Sequence, residues 1–116
     1  MSGTADQVPV SYIDVEPDLQ GRLVLRVHGA VDLPETGELR ALLNEALSLD
    51  YRAVVVDLTE VHFMGSSALG VLVEAHQRLD GMGRSLHIRG AAPAILRAFE
   101  ITQLDKVLNI GDPRSE

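Results

Sequence analysis

A chain of 116 residues, 46 % apolar and 23 % charged, is sized for one globular domain with a single core. Ten basic against seventeen acidic side chains leave a net charge of −7, and Lys106 is the only lysine, which argues against nucleic acid and for charge-complementary protein partners. The absence of cysteine excludes disulfides, thiol catalysis and thiolate metal sites, and two Tyr, two Phe and no Trp leave almost no platform for base stacking.

Met1 to Gln7 is small and polar, without the basic and apolar segments of a signal peptide, and is expected to fray. Nothing in the chain approaches the roughly 20 apolar residues that span a bilayer, so no membrane association is expected and the default address is the cytoplasm. Val8 to Val15 has strand content, and Pro9 confines that strand to a sheet edge. Glu16 to Gly21 reads as a turn by its Pro, Asp and Gly. Leu23, Leu25 and Val27 then alternate with Arg22, Val24, Arg26 and His28, a half-buried strand that pairs antiparallel with the first.

After Gly29-Ala30-Val31, Asp32 is placed to cap a helix, with Glu35 as capping-box partner and Pro34 in the first turn. Leu39, Leu42, Leu43, Ala46 and Leu47 form its apolar stripe, while Glu38, Arg40 and Glu45 face water. Ala53-Val54-Val55-Val56 is an unbroken apolar run, a strand covered on both faces, continued by Asp57-Leu58-Thr59. Glu60 to Met64 leads to the turn Gly65-Ser66-Ser67. A helix follows, with Leu69, Leu72, Val73, His76 and Leu79 at helical spacing and with Gly81 and Gly83 to stop it. Ser85 to Arg89 is a short strand with Leu86 and Ile88 inward, Pro93 opens a third helix, and Thr102 to Ile110 is a short helix or a last strand. One domain over residues 8–110 is expected, with flexible termini at 1–7 and 111–116. The alternation of strands and helices requires parallel pairing with right-handed crossovers. The fold class is α/β, a mixed four- to five-stranded sheet with its first strand antiparallel, and three to four helices.

The chemistry concentrates where the central strand hands two hydroxyls, Ser66 and Ser67, to a helix N-terminus. Serine is a preferred N-cap, which accounts for a hydroxyl there without any function. A helix N-terminus also stabilises negative charge, so it accommodates a phosphate of about −1.5 to −2 charge. The run Asp57 to Leu72 resembles the signature of the STAS domains, the anti-sigma factor antagonists: an Asp-Leu-Ser/Thr run, an apolar-x-Phe-apolar segment, then Asp-Ser-Ser/Thr-Gly-Leu-Gly. Gly29-Ala30-Val31-Asp32 is similar to the Gly-Glu-Leu-Asp before the family's first helix, and Pro93 to Phe99 with Leu104 to its third-helix region. The resemblance spans Val8 to Ile110.

It implies a STAS-like fold and a module that binds an anti-sigma factor of the serine-kinase type, a histidine-kinase-like ATPase, and so frees a sigma factor. It implies no enzymatic activity, metal or cofactor. Phosphorylation of the first serine of the pair breaks the contact in the family; by the motif that is Ser66, with Ser67 the lesser candidate. The implied contact residues are Met64, Gly65, Ser66, Ser67, Ala68, Gly70 and Asp32. Two departures stand out: Gly65 replaces the family's aspartate and Ala68 its glycine. The family's C-terminal helix also has no counterpart in the short polar tail from Gly111. The same fold also serves lipid-transport and stress-signalling assemblies.

A rival use of the turn is enzymatic. Gly65-x-Ser67-x-Leu69 comes close to a Gly-x-Ser-x-Gly nucleophile elbow in the right strand–turn–helix setting, with Asp80 and His87 following in chain order, but the final glycine is absent. His28, His62, His76 and His87 lack metal-ligand spacing. His62, just before the turn, would make partner contact pH-dependent if it lay in an interface; simple alternation places it on the exposed side. Glu60 and Glu74 flank the turn as solvated residues or as acceptors for a basic partner.

Overall fold

The computed structural model describes residues 11–111, and the side chains among them except those at 11, 12 and 33–35. Expectations for the tails, for Val8 to Val10 and for a Glu35 capping box lie outside that description. Strands β1 (Ser11–Pro17) and β2 (Leu23–Val31) form the antiparallel hairpin, from Ser11 opposite Gly29 to Pro17 opposite Leu23. β1 therefore continues two residues into the segment expected to turn. The turn itself is closed by Asp18, whose Oδ1 accepts the amides of Gln20 and Arg22, while Arg22 Nε donates to Oδ2 at 2.6 Å.

Helix α1 (Leu33–Ser48), strand β3 (Ala53–Met64), helix α2 (Ser66–Gly81), strand β4 (Ser85–Arg89) and helix α3 (Pro93–Ile101) follow. The expected final segment is both of its alternatives: a 3-10 turn at Leu104–Lys106 and a two-residue strand β5 (Asn109–Ile110). The sheet order is β1-β2-β3-β4-β5, with every pair after the first parallel. Because the parallel strands advance in one direction, right-handed connections lay the three helices over one face. Their shared core joins Val54, Val56 and Leu58 of β3 to Leu39 and Leu43 of α1, Leu72 and Leu79 of α2, and Ile95 and Phe99 of α3.

On β3 the alternate residues face the other side, where registered rows read Asp14, Arg26, Asp57, Arg89 across four strands. The signs alternate, so each charge lies beside an opposite one. Asp57 is the buried member: Oδ1 accepts the Thr59 amide and hydroxyl at 2.9 and 2.6 Å, and Oδ2 accepts Arg89 Nε at 3.1 Å. Burial pushes its carboxyl up, but the Thr59 bonds and the Arg89 guanidinium outweigh that and hold it below its ordinary value.

The end of α2 shows which glycine matters. Gly81 is its last helical residue, and only Gly83, at φ +73°, uses the left-handed region. Beyond it, Arg84 reaches back to the C-terminal end of α1, which has no basic residue of its own in its last turn. Its guanidinium donates to the carbonyls of Leu47, Leu49 and Tyr51, each at 2.7 Å.

Candidate functional site

The site begins with an irregularity in β3. Its residues in the core are Val54, Val56 and Leu58, then Val61, then Met64. The steps of three mark two β-bulges, where the register slips between Arg26 and His28 and between Gly29 and Ala30 of β2. Between the bulges the alternation is reversed, so Val61 is buried while Glu60 and His62 face water. The second bulge, opposite Gly29 at φ +95°, reverses it again. Met64 returns to the core, and Phe63 faces outward at 49 % exposure. The only other phenylalanine, Phe99, is fully buried. A large exposed aromatic thus stands three residues before Ser66.

At the end of β3, Val31 and Met64 are in register, so the next residues on the two strands, Asp32 and Gly65, lie side by side at the starts of α1 and α2. The Gly65 amide donates to Val31 O at 2.8 Å. Each carbonyl then opens its helix: Asp32 O accepts the Thr36 amide at 3.0 Å, and Gly65 O accepts the Leu69 amide at 3.1 Å. Gly65, with φ −76° and ψ 167°, is the N-cap of α2 and has no side chain of its own to cap that end. Ser66 is therefore the first helical residue, one position later than a capping serine.

The two hydroxyls divide. Ser66 is exposed. Ser67 is half-buried, 3.0 Å from the Thr36 hydroxyl, which itself donates to Asp32 O at 2.9 Å. Thr36 has a single hydroxyl proton and spends it on Asp32, so Ser67 is the donor to Thr36. That chain of bonds ties the start of α2 to the start of α1. An elbow nucleophile at Ser67 would need a histidine base, and the partner of this hydroxyl is instead Thr36.

Of the other residues expected here, Asp32 and Gly70 are exposed and Gly65 is half-buried, whereas Met64 and Ala68 are buried beneath the surface. Gly70 is one turn beyond Ser66 on the same face of α2, with open space where a side chain would stand. Glu74 is engaged within the molecule by Arg40 Nε at 3.3 Å, while Glu60 faces solvent. Phe63 was missed by reasoning from sequence, although its proximity to Ser66 in a chain with so few aromatics was a usable signal. Among the described residues, no group of three acidic or histidine side chains converges to hold a metal, and no helix is long and apolar enough to cross a membrane.

The STAS domain family model matches residues 12–116. An anti-sigma-B factor antagonist of Staphylococcus aureus is 28 % identical over 101 residues, covering 86 % of this chain and 94 % of its own. An anti-sigma factor antagonist from Mycobacterium paratuberculosis superimposes with a TM-score of 0.80 at 28 % identity, over 87 % of this chain and 85 % of that one. The phosphorylated form of the Bacillus cell fate determinant SpoIIAA gives a TM-score of 0.69 at 16 % identity, over 89 % and 94 %, and bears on the fold alone.

Proposed function

The chain belongs to the STAS domain family, and on that premise we propose that it is an anti-sigma factor antagonist, binding an anti-sigma factor of the serine-kinase type and so freeing a sigma factor. The observation that carries the reading is the exposed Ser66 at the first position of α2, between exposed Phe63 and side-chain-free Gly70. The names of the Staphylococcus and Mycobacterium relatives support it. The contact surface is Phe63, Gly65, Ser66, Gly70 and Asp32. Met64 and Ala68 hold it from beneath, and Ser67 fixes α2 against α1. Such a module works in the cytoplasm by reversible contact, and its action requires no catalysis of its own.

Ser66 is the switch. A phosphate there is tolerated by its own helix, whose free amides and dipole favour negative charge. In a packed interface the same group is an unpaired desolvated charge, costing several kcal/mol. About 2.7 kcal/mol already lowers affinity a hundredfold. A STAS module of a lipid-transport or stress-signalling assembly would use the same surface with another partner. The deciding experiment incubates the protein with the serine-kinase anti-sigma factors of its own organism and ATP. Phosphate mapped to Ser66, with release of the complex, supports the reading. Absence of both binding and Ser66 phosphorylation with every such kinase would refute it.

A further inference from the structure

The paired starts of α1 and α2 contain a contact that depends on residue 65 being glycine. A Cβ built on Gly65 would lie 2.7 Å from Asp32 Oδ1, closer than real Cβ atoms come to a non-bonded oxygen. The Asp32 carboxylate thus occupies the volume that any side chain at 65 would fill. The backbone there, at φ −76°, suits any residue, so what a side chain at 65 would have to move is the Asp32 carboxylate, the far end of a flexible side chain. This carboxylate sits beside the N-cap of α2, whose first turn holds no acidic residue. It is also on the residue whose carbonyl opens α1.

We propose that Asp32 is the resident anion of this double helix start, and that negative charge on Ser66 displaces it, so that modification of Ser66 is transmitted to the β2–α1 turn. Two like charges at one helix end share the same favourable amides and repel each other. The incoming group is attached at the first position of α2, whereas Asp32 reaches that end from the neighbouring loop. Asp32 therefore yields. The Thr36 and Ser67 bonds hold the backbone carbonyl of Asp32 to α2, so the carboxylate swings out without parting the two helix starts, and its departure changes the surface on the β2–α1 side of Ser66. The biological use of this coupling rests on Ser66 being the modified residue; the coupling itself is testable without kinase or partner.

The test is a double-mutant cycle on the purified protein, with Ser66→Glu placed in the wild-type, Asp32→Asn and Gly65→Ala backgrounds. Thermal midpoints are read at low and high salt, together with the amide chemical shifts of Asp32, Leu33, Glu35 and Thr36. Ser66→Glu is expected to raise the midpoint by roughly 2–4 °C more in Asp32→Asn than in wild type. Gly65→Ala, which evicts the carboxylate by bulk, should give a similar excess. The excess should shrink at about 1 M salt, where charges are screened within about 3 Å. In the wild-type background the amides of Asp32, Leu33, Glu35 and Thr36 should shift on Ser66→Glu, and in Gly65→Ala they should barely respond. Additive midpoints in both backgrounds, or unmoved amides in wild type, would overturn the proposal. Either result leaves intact the reading that Ser66 is phosphorylated, which only the kinase assay tests.

Discussion

The unequal roles of the two serines make a stability prediction that needs no partner. Ser67→Ala removes the hydroxyl that donates to Thr36, a residue only 6 % exposed. Thr36 keeps its own bond to Asp32 O, so the loss is one part-buried hydrogen bond and one tie between α1 and α2. Such a bond contributes about 0.5–1.5 kcal/mol net. For a domain of this size that corresponds to a midpoint lowered by roughly 2–6 °C. Ser66→Ala removes an exposed hydroxyl that caps nothing, and its effect should stay within about 0.5 kcal/mol. A motif-based view of Ser66 as the helix cap predicts the opposite order, with a loss of about 0.5–2 kcal/mol at Ser66. Calorimetric melts of the two variants and wild type, in one buffer, separate these accounts. A Ser66→Ala loss equal to or larger than that of Ser67→Ala would refute the placement of the hydroxyls.

Three further outcomes follow from other parts of the molecule. Arg84→Ala should cost about 2–4 kcal/mol by stripping three charge-assisted bonds from the end of α1, and Arg84→Lys should recover only part, because an ammonium lacks the planar fork; urea melts measure both. Asp57 is held below its ordinary carboxyl value of 3.8, so its contribution is present above that pH and lost as pH falls through the lower folded value. The stability gap between wild type and Asp57→Asn should accordingly narrow between about pH 7 and about pH 3, and a constant gap in urea titrations would contradict the assignment. Phe63→Ala should leave the melting point nearly unchanged while weakening binding to the anti-sigma factor about 10- to 100-fold in calorimetric titration, as loss of an exposed aromatic anchor does.

Helical periodicity made α1, α2 and α3 legible, because stripes such as Leu39, Leu43 and Ala46 recur at a spacing only a helix turns to one side. The antiparallel first pair and parallel remainder followed from connection lengths alone. The path of β3 was not legible, since two bulges reverse its alternation between Leu58 and Met64 and a fixed period of two cannot represent that. Nor was the exact start of α2, where Gly65 takes the cap position that two adjacent serines invite one to give to a hydroxyl. Ser67 with Thr36, Asp32 with Gly65 and Arg84 with the end of α1 join residues about thirty or more positions apart. Contacts of that range come from the parallel pairing of β2, β3 and β4, which sets the starts of α1 and α2 side by side at the C-terminal ends of β2 and β3 and the end of α1 beside the chain leaving α2. Gly65 illustrates the limit: on sequence it is a missing carboxylate, and in the structure it is the space another carboxylate fills.

The switch requires that charge at Ser66 break the partner contact while the fold persists. The measurement is the dissociation constant for the anti-sigma factor, with Ser66 unmodified and quantitatively phosphorylated, each form checked by its melt. The phosphorylated form is expected to melt no lower than about 2 °C below the unmodified one and to bind at least about a hundredfold more weakly. Equal affinity of the two forms, with both folded, would contradict it.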